Sequence, residues 1–533
     1  MGSNEHPFEE FLKSFVSKMA ENRDRLADAL WSLETTGSSE AADLAAKLGA
    51  EEQLLYTDNR TYQQLLAWDQ DESLKDPLLK RQLNVLTRAF KFNQAPKSLI
   101  EEISKKEAEL SQSYSHFRPE FEGKLLSEND VLVILKDETH LLRRQKAWEA
   151  SKLIGDVLAP QILDIVALRN QRAQSLGYSD FFHMKLDAEE VDEEWLMSTF
   201  EDLVEQSEEA YSKVIHHIEQ QQVERYGVSK EELGPWAWSD PFSQNDPLDD
   251  GTLDGLVSDL DIVAACERFF QKMGFDLRPV LQRSDLFERP NKNQHAFCIN
   301  MDRDQDMRIL ANIKPYLNWL DGLLHELGHA AYELGFDEKL PWLLREPPSG
   351  IATEAIALLL NRRAYRYSSL RQLVGPITAK EPLMKKAEES FKRRQLILSR
   401  FVLVLTFFER ELYRNPNQDL NQLWWSLVNK YQKIRIPNGR KNKNDWAAKF
   451  HIGLAPVYSF SYLLGEMFAS AIEETLVKET GVQNFDFPQV GAWLQKKIFL
   501  QGNRMPWNEL VFFVTGQPLK PDAWIRQFCS SGL

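Results

Sequence analysis

Apolar residues recur at steps of three and four over long stretches of this chain, and that spacing constrains the fold more than any other feature. Phe8, Phe11, Phe15 and Met19 step this way, and Leu26, Leu30 and Leu33 continue it. Side chains three or four apart sit above one another on a helix, so each run lines one helical face. The same stepping returns through Leu132–Leu168, Trp195–Ile218, Leu396–Leu412 and Leu420–Tyr431. Glycine is scarce, at 24 of 533 residues, and the expected fold class is mainly α. The sequence has no fixed-period repeat and no low-complexity tract.

Two regions break the helical pattern. Residues 234–253 are rich in Pro, Gly, Asp and Trp and read as a long loop. Gln294–Met301 and Met307–Ile313 are strand candidates flanking a polar turn, so a β-hairpin is expected there. At ~100–200 residues per domain the length admits two to four domains or one large body. The expected division is an N-terminal helical half over 1–250 and a catalytic half over 251–533, packed as one body.

Charge and cysteine content narrow the partners. The chain carries 80 acidic and 64 basic side chains, a formal net charge of −16. That balance argues against a binder of nucleic-acid backbones. The longest apolar run, Phe401–Phe408, is too short to span a bilayer, so no membrane partner is expected. Cys266, Cys298 and Cys529 are odd in number and far apart, which fits a reducing compartment without a disulfide framework. The first residues lack a basic and apolar leader pattern, so the expected location is cytoplasmic. Nothing in the sequence sets an oligomeric state.

The segment Leu317–Leu334 carries the chemistry. Leu317, Leu320, Leu324, Leu327 and Ala331 keep helical spacing, and Pro315 stands where a helix can begin. Within it lies His325-Glu326-Leu327-Gly328-His329. Residues i and i+4 share a helix face, so both imidazoles can hold one Zn²⁺ ion. Glu326 is turned about 100° from His325, where it can act as general base toward a water. A chance HExxH is possible in a chain with 10 His, but two His and a Glu have no structural reason to line up on an apolar helix. A catalytic zinc needs a third protein ligand and one open position. Glu354 is the candidate. Pro347, Pro348, Ser349 and Gly350 mark a turn, and Glu354 is expected in the first turn of the apolar helix that follows. Offsetting the helix dipole is the other use for an acid there.

These residues resemble two zinc-peptidase families, the oligoendopeptidase F and thimet-oligopeptidase family and the angiotensin-converting-enzyme (peptidyl-dipeptidase A) family. Both place a Glu ligand at this distance from the HExxH. Leu340, Pro341, Leu344, Arg345, Glu346 and Glu354–Ile356 are similar to the converting-enzyme family, as are Gln294–Cys298 followed by Asp306–Ile309, and Lys449-Phe450-His451-Ile452. The run from His451 to Tyr462 has the His-to-Tyr spacing of the oligoendopeptidase F pattern. The similarity covers roughly residues 290–470. It implies a mostly helical, elongated, two-lobed body with a deep central channel, one zinc per chain at its floor, and the small hairpin beside the zinc.

The expected donors to a developing oxyanion are His295, His451, Tyr458 and Tyr462. By resemblance, Tyr462 matches the oxyanion-stabilising tyrosine, His451 the histidine that supports the intermediate, and His295 the one near the substrate carbonyl. Tyr458 and Tyr462 are four apart, so on a helix they share a face. A core aromatic stripe and hydrogen-bonded core histidines are the bland readings of the same residues. The hairpin offers an edge for an extended peptide, with Ala296 small enough to let it approach.

Converting enzymes anchor a free C-terminus with Lys, Tyr and Gln. Lys449 is present, but the Tyr position falls near Ser459, no Gln stands between Trp236 and Trp238, and the chloride-holding Arg aligns with Ser461. The expected function is therefore a zinc oligoendopeptidase acting on short unstructured peptides. The alternatives are a carboxypeptidase or peptidyl-dipeptidase, and a silent zinc-containing peptide binder.

Overall fold

The computed structural model describes residues 6–375 and 378–530. It is built almost wholly of helices, with two small antiparallel sheets among the described residues, as the apolar spacing predicts. The chain divides into two compact units. The first comprises residues 1–94, 252–387 and 464–519, and the second residues 95–251, 388–463 and 520–533. Among the described residues no helix is long and apolar enough to cross a membrane.

In the first unit the helix Pro7–Thr36 starts on a capping box, in which the His6 side chain accepts from the backbone and Glu9 reaches back to His6. Phe8, Leu12, Phe15 and Met19 bury its stripe against Leu83, Leu86 and Phe90, while Phe11 packs half-buried at the edge. The helix ends at Gly37, whose positive φ of 67° suits a residue without a side chain. The expected hairpin forms over a shorter span, Phe297–Asn300 against Met307–Leu310, with Cys298 opposite Ile309 and Asn300 opposite Met307.

The second unit is organised by the helices Leu141–Ser175 and Glu193–Tyr226 and by residues 388–414 of the helix Glu381–Arg414. The run Leu132–Leu168, expected as one helical stretch, is broken at 138–140. The Glu138 carboxylate accepts from the N–H groups of Thr139 and His140 at 2.8 and 2.9 Å, a local pattern that competes with helical pairing over 138–140 before the next helix starts at Leu141. Loop 234–251 is irregular, as expected, yet much of it is buried: Trp236, Trp238 and Asp240 have little or no exposure. Side chains satisfy its backbone. Arg144 donates to the carbonyls of Trp236 and Trp238, Trp148 to Pro241, and Gln432 to Phe242 and Ser243.

A buried ion pair ties two helices of the first unit. Arg362, at the end of the helix Gly350–Asn361, donates to the Glu466 carboxylate, to the Glu466 carbonyl at 2.7 Å and to Ser470 Oγ at 3.1 Å. Arg362 is fully buried. Removing one partner of a buried pair strands the other charge. Glu466→Ala is expected to lower stability by about 3–5 kcal/mol, read as a lower urea midpoint at unchanged slope.

Candidate metal centre

The helix Leu317–Leu334 presents His325 and His329 on one face, with ring centroids 4.8 Å apart. Beside it runs the helix Gly350–Asn361, capped by Ser349, which contributes Glu354. Glu354 is the fifth residue of that helix and not in its first turn, as the sequence reading had it. The dipole use of this carboxylate loses force there, because that effect fades within one turn. The two helices meet without an intervening side chain. A Cβ on Gly328 would stand 3.0 Å from the Ala357 Cα, and one on Gly465 would stand 3.1 Å from the Glu354 Cβ. Glycine is what permits this closeness.

The three expected ligands converge. The two Nε2 atoms lie 3.2 Å apart, and Glu354 Oε2 lies 3.6 Å from His325 Nε2. All three ligand atoms fall within 4.8 Å of one another. Zinc bonds of ~2.0–2.1 Å put tetrahedral ligands about 3.3 Å apart, so the donor set fits Zn²⁺. Burial holds His325 neutral, with its pKa lowered to about 4. Burial and then His325 lower that of His329 well below the usual value. Neutral imidazole is the form that ligates. With Nε2 turned to the other ligands, the His329 Nδ1–H donates to Thr353 Oγ1 at 2.7 Å, which fixes tautomer and ring.

Glu326 is buried on the same helix. Burial first, then the charge of Glu354, push its pKa up to about 8, and a hydrogen bond from the Cys298 backbone opposes them. The hairpin thus touches the HExxH helix directly. Asn300 adds a second tie, its amide donating to Glu333 at 2.8 Å. Ala296 is half-buried just ahead of the strand, and His295 is exposed, its N–H bonded to Asn293 Oδ1.

Four expected residues belong to the second unit. Lys449 is buried, donates to Gln244 Oε1 at 2.9 Å and lies over the rings of Phe401 and Phe242. Burial lowers its pKa to about 8. His451 is half-buried and held neutral, lowered to about 4 by burial and by Lys449. Tyr458 and Tyr462 do not share a helix face, because the helix begins only at Phe460. A turn at 455–459 intervenes, and the rings meet edge to face at 5.3 Å. Sequence reasoning missed Gln244. It sought an amide between Trp236 and Trp238, whereas the loop folds so that Asp240 caps the N–H groups of Phe242, Gln244 and Asn245 and presents Gln244 to Lys449.

A family model described as angiotensin-converting enzyme (Peptidase_M2) matches residues 3–234 and 256–520. The chain belongs to that family of metallopeptidases. It is similar to the angiotensin-converting enzymes of Mesocricetus auratus and Bos taurus, 24% identical over 434 and 433 residues. Each alignment covers 73% of this chain and 32% of the relative, so the chain spans about a third of the length of these relatives. It is also similar to carboxypeptidase 1 of Bacillus subtilis, 22% identical over 281 residues, covering 47% of this chain and 53% of the relative. The internal segment left unmatched by the family model, 235–255, contains Gln244.

Thr353 gives this centre a test. Thr353→Ala removes the partner of His329 Nδ1 and is expected to weaken zinc binding about 10- to 100-fold, measured by competition with a chelator.

Proposed function

We propose that this chain is a zinc-dependent peptidase that removes residues from the free C-terminus of short unstructured peptides, in the manner of a peptidyl-dipeptidase or carboxypeptidase. One observation carries the choice over internal cleavage. Lys449 is a buried ammonium whose hydrogen-bond partner, among the described residues, is a neutral amide, Gln244. Asp240 attracts Lys449 without a direct bond and spends its oxygens on backbone N–H groups, so a substrate carboxylate would supply the direct ion pair, and Gln244 Nε2 remains able to donate to it. The converting-enzyme and carboxypeptidase relatives support the same choice over the oligoendopeptidase reading.

A zinc ion held by His325, His329 and Glu354 would supply Lewis acidity, polarising the scissile carbonyl and acidifying a water near neutral pH. Glu326 takes the proton of the attacking water and returns it to the leaving amine. Tyr462 and neutral His451 are the proposed donors to the oxyanion, a role they take from the family resemblance. His295, Ala296 and Tyr458 are proposed substrate contacts on the same ground.

Glu326→Gln is expected to retain zinc while kcat falls on the order of 10²- to 10⁴-fold, measured by metal analysis and peptide turnover on the same sample. C-terminal amidation separates the exopeptidase from an endopeptidase. Mass mapping should show efficient cleavage of free-acid peptides and strongly reduced, still measurable cleavage of their amides. The Lys449 ammonium loses its charge as pH rises through about 8. The ratio of kcat/KM for a free-acid peptide to that for its amide is therefore expected to fall above that pH. Glu326 affects both substrates alike and cancels from the ratio.

A further inference from the structure

We propose that Glu409 is a positioning residue that fixes the His451–Tyr462 segment in one conformation by holding Val457 in a left-handed backbone geometry. This rests on the reading above, in which His451 and Tyr462 donate to the reacting carbonyl.

Val457 has φ of 55°. Among the described non-glycine residues with positive φ, it alone is β-branched. A branched side chain crowds the backbone in that region, so the turn stands only if its surroundings enforce it. Val457 is 2% exposed, which leaves its N–H without solvent. That N–H donates to Glu409 Oε1 at 2.8 Å. Glu409 comes from the helix Glu381–Arg414 and is itself 2% exposed. An apolar side chain would fill this site at no desolvation cost, so a carboxyl group here needs a purpose.

The other end of the turn is held in the same way. Arg169, from the helix Leu141–Ser175, is also 2% exposed. It donates to the Gly453 carbonyl at 2.8 Å, to Glu107 at 2.6 Å and to the Tyr413 hydroxyl at 3.1 Å. Two buried polar side chains from two long helices thus grip the backbone at 453 and 457, between His451 and Tyr458. Glu409 faces Arg169 across this network, and burial pushes its pKa up to about 8 against the pull of Val457 N–H and Arg169. An amide at 409 keeps the acceptor oxygen that the Val457 N–H requires. Strain held in place beside proposed catalytic donors is the pattern expected where a fold trades local stability for fixed geometry.

The test compares Glu409→Gln, Glu409→Ala, Val457→Gly and the Glu409→Ala/Val457→Gly double variant. Glu409→Ala is expected to lower kcat about 10- to 100-fold with KM changed less than about twofold, since a small misplacement of donors acts on the transition state. Glu409→Gln keeps an acceptor oxygen and should retain most of kcat. Val457→Gly should restore part of the kcat lost in Glu409→Ala, because glycine takes this φ without crowding. Hydrogen exchange over residues 453–462 should quicken in Glu409→Ala and stay slow in Glu409→Gln. A loss carried by KM, an amide variant as damaged as the alanine one, or unchanged exchange in Glu409→Ala would overturn the proposal. Should Tyr462→Phe leave kcat intact, the donor role fails, while the exchange measurements still decide whether Glu409 holds the segment.

Discussion

The candidate metal centre depends on the contact at Gly328. Two helices joined by a short connection, Leu317–Leu334 and Gly350–Asn361, lie close enough there that a methyl group would already crowd the Ala357 backbone. Because they lie that close, a carboxylate on one and two imidazoles on the other reach a common point. Gly465 does the same on the far side of Glu354. Thr353 then turns His329, and the ion pair of Arg362 with Glu466 anchors the Glu354 helix at its end. The ligand geometry is therefore set by backbone approach first and by hydrogen bonds second.

The second unit uses a different device. Its irregular segments are not surface loops in the usual sense, since much of 234–251 is buried and has its carbonyls satisfied by Arg144, Trp148 and Gln432. Asp240, fully buried, spends its oxygens on the loop N–H groups of Phe242, Gln244 and Asn245. Buried polar side chains thus do the work that helix and sheet ladders do elsewhere, and they hold irregular backbone in one shape. Lys449 meets Gln244 as a result.

Much of this was legible in the sequence, for identifiable reasons. Helical faces and the HExxH ligands are local, so spacing alone exposes them. Glu354 is 25 residues beyond His329, yet the turn and apolar run around it made it readable. Errors arose where local signals compete. Local side-chain bonds at Glu138 break a helical stretch whose apolar spacing runs on, and the turn at 455–459 puts Tyr458 outside the helix that carries Tyr462. Gln244 was invisible because its placement follows from a loop conformation set by Asp240. Gly328 and Gly465 offered no signal at all, since a glycine that permits close packing looks like any other in one sequence.

The discontinuous make-up of both units bears on how the polypeptide matures. The first unit closes only when segments around residues 1–94, 252–387 and 464–519 are all available. A ribosome must therefore emit residues up to the 464–519 segment before His325, His329 and the Gly465 backbone that flanks Glu354 share a finished environment. Large loops have to be closed along the way, which slows assembly and leaves apolar helix faces waiting for partners. A product truncated before residue 464 would carry His325, His329 and Glu354 without the Gly465 backbone that flanks Glu354.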